Sequence, residues 1–310
     1  MKVTKHLQLP ISVIIVTYNR SADLEITLNA LLQLNEIQEI IIVNNGNNLQ
    51  TRKMVEKKFP SVQLINLKQN LGIPAYNLGV ELSQNPFLFF LDDDAIPREK
   101  TFQKVVKTFR EYEDVAAVSC EIVDSDMRVV TRNWPKNPIC FWGCGVGLRK
   151  AAILKQPYVF DPSMFLHGTE LDLAIRLYDM GYKVLHLKEA VVHHRFSNEN
   201  RSMAGRIYYL TQNAIWFPLK HFPVQTMIVA ICRNLIYLFF KSVKSQCIGA
   251  YIRGIWSGIG QIRMVWKKRR VVANPIVKRY FQEVWEFEPI LFRVARSLFG
   301  SPKSRKHKKS

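Results

Sequence analysis

Three aspartates stand side by side at Asp92, Asp93 and Asp94, directly behind the apolar run Phe87–Leu91. Adjacent like charges repel, and aspartate is a poor residue with which to finish a buried strand, so the triplet calls for a cation or a charged partner. A second pair of carboxylates, Glu170 and Asp172, lies in "LHGTELDLAIRLYDMG" (166–181). There Thr169 and Asp172 have capping-box spacing, Leu171, Ile175 and Tyr178 form an apolar stripe, and Gly181 fits a helix stop. On this reading Asp172 is a cap. Glu170 sits in the first turn, where unpaired amides and the helix dipole hold a carboxylate ionised and able to act as a general base. Two histidines, His193 and His194, close the apolar stretch that follows.

The elements that must position these residues follow from periodicity. Ile11–Tyr18, Glu39–Asn44, Val62–Leu67, Phe87–Leu91 and Val115–Cys120 are short β-rich runs, and residues 182–194 read as a further strand. Between them Leu24, Leu28, Leu31 and Leu32 fall on one helical face behind Ser21 as N-cap, and Phe102, Val105, Val106 and Phe109 do the same after Pro97. Strands separated by helices predict βαβ units around a parallel sheet buried on both faces, hence an α/β domain. Ligands bind beyond the carboxyl ends of such strands. The polar ends Thr17-Tyr18-Asn19, Asn44-Asn45-Gly46 and Asp92-Asp93-Asp94 are therefore expected on one edge, the alternative for Asn44–Asn48 being an ordinary turn.

Charge divides the chain. Residues 1–200 carry 23 Lys and Arg against 22 Asp and Glu, whereas residues 201–310 carry 21 against 3. A block so basic fits nucleic acid or an anionic membrane surface. It also holds apolar runs such as "MIVAICRNLIYLFF" (227–240), whose uncharged pieces fall short of the roughly 18–20 residues of a membrane span. Interfacial or packed helices are expected there, with a disordered basic tail at 301–310. The five cysteines lack a disulfide-framework spacing, and Cys140 and Cys144 read as packed thiols rather than half a metal site. With no secretory leader in residues 1–10, a cytoplasmic setting is expected.

Seven stretches in order carry a family resemblance: "SVIIVTYNR" (12–20), "EIIIVNNGN" (39–47), "NLGIPAYNLG" (70–79), "FFLDDDAIP" (89–97), "GTELDLAIRLYDMGYKV" (168–184), "AVVHHR" (190–195) and "RIYYLTQNAIW" (206–216). Together they resemble the nucleotide-sugar-dependent glycosyltransferases of family 2, with the GT-A fold, and their bacterial rhamnosyltransferase-like branch. The resemblance implies a Rossmann-like mixed sheet flanked by helices over residues 1–205. A helical, membrane-associating extension would follow at 206–300. It implies Mg²⁺ or Mn²⁺ on Asp94 and Asp92, with His194, or alternatively His193, completing the shell. Thr17, Tyr18, Asn19, Asn44, Asn70, Gly72, Asp92 and Asp93 would bind the nucleotide sugar. Asn44 replaces a common aspartate, which leaves the base open among UDP, dTDP and GDP. Glu170 takes the position of the catalytic base, with Asp172 as its support or substitute.

The implied reaction is an inverting transfer to a hydroxyl of a glycan acceptor, lipid-linked and destined for the cell surface. The enzyme would work at the cytoplasmic face of a membrane, gripping an anionic surface through residues 206–310. A non-catalytic sugar-nucleotide scaffold is a rival reading, opposed by the intact Asp92, Asp94 and Glu170. A nucleic-acid-binding protein is another, opposed by the lack of a recognised motif and by aromatic residues such as Trp216, Trp256 and Trp266 that suit an acyl boundary.

Overall fold

The computed structural model describes residues 8–34, 36–197, 199 and 202–285, so the expected tail at 301–310 lies outside the described residues. The chain divides into two compact units after Ser202. In order, the first contains β1 (Leu9–Thr17), α1 (Ser21–Gln33), β2 (Ile37–Asn45), α2 (Leu49–Lys58), β3 (Gln63–Leu67), α3 (Tyr76–Leu82), β4 (Phe87–Asp92), β5 (Ala95–Pro97), α4 (Thr101–Glu111), β6 (Val115–Val123), β7 (Val146–Arg149), α5 (Lys150–Ile153), α6 (Thr169–Asp179) and β8 (Lys183–His194).

The strands form one sheet in the order β3-β2-β1-β4-β7-β6-β8-β5. Pairing is parallel along β3-β2-β1-β4 and between β6 and β8, but antiparallel where β7 joins β4 to β6 and where β5 meets β8. The sheet is thus mixed. The residue pattern alone implied a parallel one, because β5 and β7 are only three and four residues long and leave no periodic signal.

Alternation along the central strands builds two cores. Val13, Ile15, Phe89 and Leu91 pack with Leu24 and Leu28 of α1 and with Phe102, Val105 and Phe109 of α4. Ile14, Leu88 and Phe90 face the other way, onto Tyr76, Val80, Phe160, Leu173 and Leu177. All but Tyr76 are essentially excluded from water, and each such side chain contributes roughly 1.5–3 kcal/mol by burial. The sheet buries both faces, and polar residues gather at its carboxyl edge, with a smaller buried group of Ser12, Glu39 and Asn85 elsewhere.

Two expected caps form differently. Arg20 rather than Ser21 is the N-cap of α1. Gly168, in a left-handed conformation, is the N-cap of α6, so Thr169 is the first helical residue and the Thr169–Asp172 capping box does not form. At the other end Gly181 takes φ +83°, and the bonds Gly181 N→Tyr178 O and Tyr182 N→Leu177 O close the helix as the sequence predicts.

The second unit contains α7 (Met203–His221), α8 (Val224–Lys244), α9 (Ile248–Gly260), α10 (Ile262–Lys267) and α11 (Asn274–Trp285). Gly254 and Gly258 let α9 lie close on α7: a Cβ at either would stand 2.7 Å from Tyr208 O or 2.6 Å from Ile215 Cδ1. The Trp216 indole N–H donates to Gly258 O at 3.0 Å across the same contact. Val224, Ile228, Val229, Ile236, Phe239 and Val243 stay exposed as one stripe of α8, and Ile248, Ile252, Trp256 and Ile259 as one stripe of α9. By length and composition the 21-residue α8 could cross a bilayer; its uncharged pieces are short, as expected, because Arg233 interrupts the apolar run without ending the helix.

Candidate active site

Register brings the three polar strand ends together. Thr17 pairs with Asn44, Val16 with Asp92, and Asn44 with Asn66, so the ends of β1, β2, β3 and β4 lie along one edge. The chain then turns at Asp93 and Asp94 into β5, whose Ala95 pairs with His194. This places His194 Nε2 at 3.1 Å from both Asp92 Oδ2 and Asp94 Oδ1. His193, one residue earlier, pairs with Ile96 and lines a separate cavity with Ile96, Pro97 and Met127. Of the two histidines, His194 is the one beside the aspartates.

The cation demanded by the triplet is in part the protein's own. Buried Arg20 reaches Asp93 at 2.7 Å and Asp94 at 2.6 Å. Thr17 Oγ1 donates to Asp93 at 2.7 Å, Thr27 Oγ1 donates to the Asp93 carbonyl, and the Ser197 amide donates to Asp94. Burial pushes the Asp93 carboxyl up to about 7 against the pull of Arg20 and Thr17. Burial also opposes ionisation of Asp94, but His194 and Arg20 overcome it and hold that carboxyl far below the ordinary range. For His194 burial disfavours the charge, yet hydrogen bonds to Asp92 and Asp94 raise it to about 9. Asp92 remains one-third exposed and is the carboxylate of the three that faces outward.

Glu170 lies at the start of α6, half-buried, with Thr169 Oγ1 donating to it at 3.0 Å. The segment Gly143–Cys144–Gly145 runs between it and the aspartates: a Cβ at Gly143 would stand 2.6 Å from Glu170 Oε1, while Cys144 Sγ, Asp92 and His194 offer atoms all within 4.8 Å of one another. Burial raises the Glu170 carboxyl, and the charge of Asp92 raises it further. Asp172 is elsewhere. It is fully buried against Arg176 at 2.9 Å, and Arg176 in turn donates to the carbonyls of Tyr158 and Val159. That pair anchors the loop before α6.

The residues expected to meet the nucleotide are laced together by hydrogen bonds. Asn44 donates to Asn48 O and Asn66 Oδ1 and accepts from the Asn48 amide. Asn45 donates to Asn70 and to Gly72 O, and accepts from the Leu71 amide. Gly72, at φ +67°, lies where a Cβ would come within 2.0 Å of Phe165 O, and Ile73 N donates to that same carbonyl. Asn77 exchanges hydrogen bonds with the Phe160 backbone. Tyr18 is 40% exposed beside Gly46, and Asn19 accepts from Asn48.

A sequence profile described as "Glycosyl transferase family 2" matches residues 12–168, half of the chain. The chain belongs to that family. It is therefore a glycosyltransferase, and the architecture agrees with solved structures. One is a mannosyltransferase, PcManGT from Pyrobaculum calidifontis in complex with GDP-Man and Mn²⁺, at 13% identity and TM-score 0.52, covering 91% of this chain and 88% of that one. Another is S. aureus TarS residues 1–349 in complex with UDP-GlcNAc, at 15% identity, TM-score 0.58 and 84% coverage of both chains. A third is GalNAc-T7 with UDP, GalNAc and Mn²⁺, at 14% identity and TM-score 0.58, covering 97% of this chain and 59% of that one. No curated protein sequence matches.

The residue types of this glycosyltransferase fit a divalent ion: His194 Nε2 lies 3.1 Å from one oxygen of Asp92 and of Asp94, and carboxylates with an imidazole are donors such an ion takes. Sequence reasoning missed Arg20, Gly143 and Cys144. Arg20 stands in the quoted "TYNR", and its basic side chain near Asp23 was the one available signal; nothing in the sequence links it to residues 74 positions on. Gly143 gives a direct test of Glu170 placement. The atom in the way of a methyl group is the end of a flexible side chain, so Gly143→Ala is expected to cost under about 1 kcal/mol in stability. The displaced carboxylate is expected to lower kcat about 10²-fold. Thermal melts beside initial rates check this; a wild-type rate would mean that Glu170 acts without that constraint.

Proposed function

We propose that the enzyme transfers a sugar, with inversion, from a nucleotide-diphosphate sugar to an acceptor hydroxyl on a lipid-linked, cell-surface glycan at the cytoplasmic face of a membrane. The observation that carries the reading is that the adjacent residues Gly143 and Cys144 lie against Glu170 and beside Asp92 and His194 respectively. Glu170 Oε1 accepts the hydroxyl proton, and the oxygen attacks the anomeric carbon from the face opposite the diphosphate. A half-buried carboxylate with a raised proton affinity suits a base that must hold that proton. Asp172, committed to Arg176, positions the helix that presents Glu170.

Thr17, Tyr18, Asn19, Asn44, Asn70 and Gly72 would seat the nucleotide. The Asn44 N–H groups are spent within the protein, so its remaining offer to a base is an acceptor lone pair. Exposed Tyr18 supplies a stacking face. Asp92, Asp94 and His194 would hold Mg²⁺ or Mn²⁺, which when bound neutralises charge on the leaving diphosphate. Arg20 fixes Asp94 and Asp93 from behind. The GDP-Man and UDP-GlcNAc complexes of the structural neighbours support such a donor, carrying a hexose.

The exposed apolar stripes of α8 and α9, beside Lys241, Lys244, Arg253 and the Lys267–Arg270 cluster, support an anionic membrane surface as a partner, each basic residue contributing about 1 kcal/mol near such a surface. Sedimentation with anionic vesicles is expected to carry the protein down, and neutral vesicles or duplex DNA to retain much less of it.

Thermal melts with UDP-, dTDP- and GDP-sugars, with and without Mn²⁺, test the donor. One nucleotide class is expected to stabilise the protein only with the ion, by roughly 2.7 kcal/mol at a hundredfold excess over its Kd. Asp94→Ala is expected to abolish that dependence. Failure of every donor to shift the melt, with no hydrolysis or transfer, would return the protein to a non-catalytic role.

A further inference from the structure

Cys144 has a place in the cleft that its expected role as packing does not explain. Its thiol is 2% exposed, and Sγ lies within 4.8 Å of ligand atoms of Asp92 and His194. The Asp92 amide donates to it, while burial and the Asp92 charge keep the metal-free group a thiol. Both neighbours hold the position still. Gly145, at φ +72°, donates its N–H to Phe90 O and accepts from the Cys120 amide, and a Cβ there would stand 2.8 Å from Val192. Gly143 packs against Glu170. Cys144 is thus a preset donor pinned between β4, β6 and β8.

A thiolate changes the chemistry of a divalent site. Carboxylate oxygens suit Mg²⁺ and Mn²⁺, whereas sulfur with imidazole selects Zn²⁺ and its thiophilic relatives. Around a tetrahedral zinc ion, donors lie roughly 3.5 Å apart, and the three donor atoms here already lie within 4.8 Å of one another. Two overlapping donor sets share Asp92 and His194: one completed by Asp94, the other by Cys144.

We propose that Cys144, Asp92 and His194 form a site for thiophilic divalent ions of the Zn²⁺ class, exclusive with Mg²⁺ or Mn²⁺ at the same cleft. It rests on the reading of Asp92 and His194 as ligands. On binding, the S–H proton leaves to solvent and a sulfur–metal bond forms, with no change in oxidation state. Occupation by such an ion blocks the hard-ion set, so the enzyme is inhibited by zinc.

The experiment uses the metal-free full chain, with Cd²⁺ as the spectroscopic stand-in for Zn²⁺. One equivalent of Cd²⁺ is expected to give thiolate-to-metal ultraviolet absorption in the wild type. Cys144→Ser and Cys144→Ala are expected to lose it, and Cys140→Ser, on the same loop, to keep it. Zn²⁺ affinity is expected to fall at least about tenfold in the Cys144 variants and Mn²⁺ affinity by less than about threefold. Should those variants misfold, the wild type still decides: excess Mn²⁺ must bleach the cadmium band, and Cd²⁺ must release bound Mn²⁺, followed by its paramagnetic resonance. Mn²⁺ binding with no thiolate band, or a band untouched by Mn²⁺ or by loss of Cys144, overturns the proposal and leaves the hard-ion reading standing. No binding of either ion overturns both.

Discussion

Glu170→Gln is expected to reduce kcat by about 10²- to 10⁴-fold, with donor affinity and melting temperature close to wild type. The amide keeps the size of the side chain and an acceptor for Thr169 Oγ1, but it cannot take a proton from the acceptor hydroxyl. The wild-type pH profile carries the same information. Burial, aided by the charge of Asp92, raises the Glu170 carboxyl above its ordinary value, and the base works only when ionised. Activity is therefore expected to rise with pH through a limb lying above the ordinary glutamate value of about 4.3. Initial rates at saturating acceptor check both. A Glu170→Gln variant with wild-type kcat would remove Glu170 from the chemistry. Asp172→Asn separates the two carboxylates: it breaks a buried pair with Arg176, so its cost appears as lost stability before lost turnover.

The second large effect is structural. Arg20→Ala leaves Asp93 and Asp94 as buried carboxylates without their shared guanidinium, and breaking a buried pair in this way costs about 3–5 kcal/mol. For a unit of this size that is roughly 6–20 °C in Tm. The deficit is expected to shrink as pH falls. Without Arg20 the Asp93 carboxyl, already raised by burial, binds its proton more tightly folded than unfolded, so its part of the penalty is complete above its folded pKa and vanishes below the unfolded one, while Asp94 keeps His194. Adding Asp93→Asn is expected to restore part of the loss, because one uncompensated charge is gone. Calorimetry at acid and neutral pH measures all three effects. A melt within a degree of wild type would mean that Arg20 does not hold the triplet.

Much of this arrangement was legible in the residues. The five β-rich runs are strands, and the polar ends of the first, second and fourth do meet, because a parallel register aligns carboxyl ends wherever the apolar runs have similar length. Glu170 was readable in the first turn of its helix, from the stripe and the glycine that bound it. The missing parts depend on contacts far apart in the chain. Arg20 reads as a solvated start to α1 until the sheet carries Asp93 and Asp94 beside it. Gly143 and Cys144 belong to a non-periodic loop, and β7 after them is too short to announce the antiparallel step that folds this loop into the cleft. The mistaken capping box has a local cause. Gly168 takes a left-handed backbone and serves as the N-cap, so the helix starts one residue earlier than a Thr169 cap would set it and Thr169 turns its hydroxyl to Glu170.

The contact between Gly72 and Phe165 couples the two walls of the cleft mechanically. Position 72 has no space even for a methyl group, and its backbone neighbour is tied to a carbonyl four residues ahead of α6. Any larger residue there must push the strap leading to Glu170 or be pushed off Asn45. The segment that carries Asn70 and Gly72 and the helix that carries Glu170 consequently cannot drift apart independently during evolution; a change that reshapes one must be matched on the other.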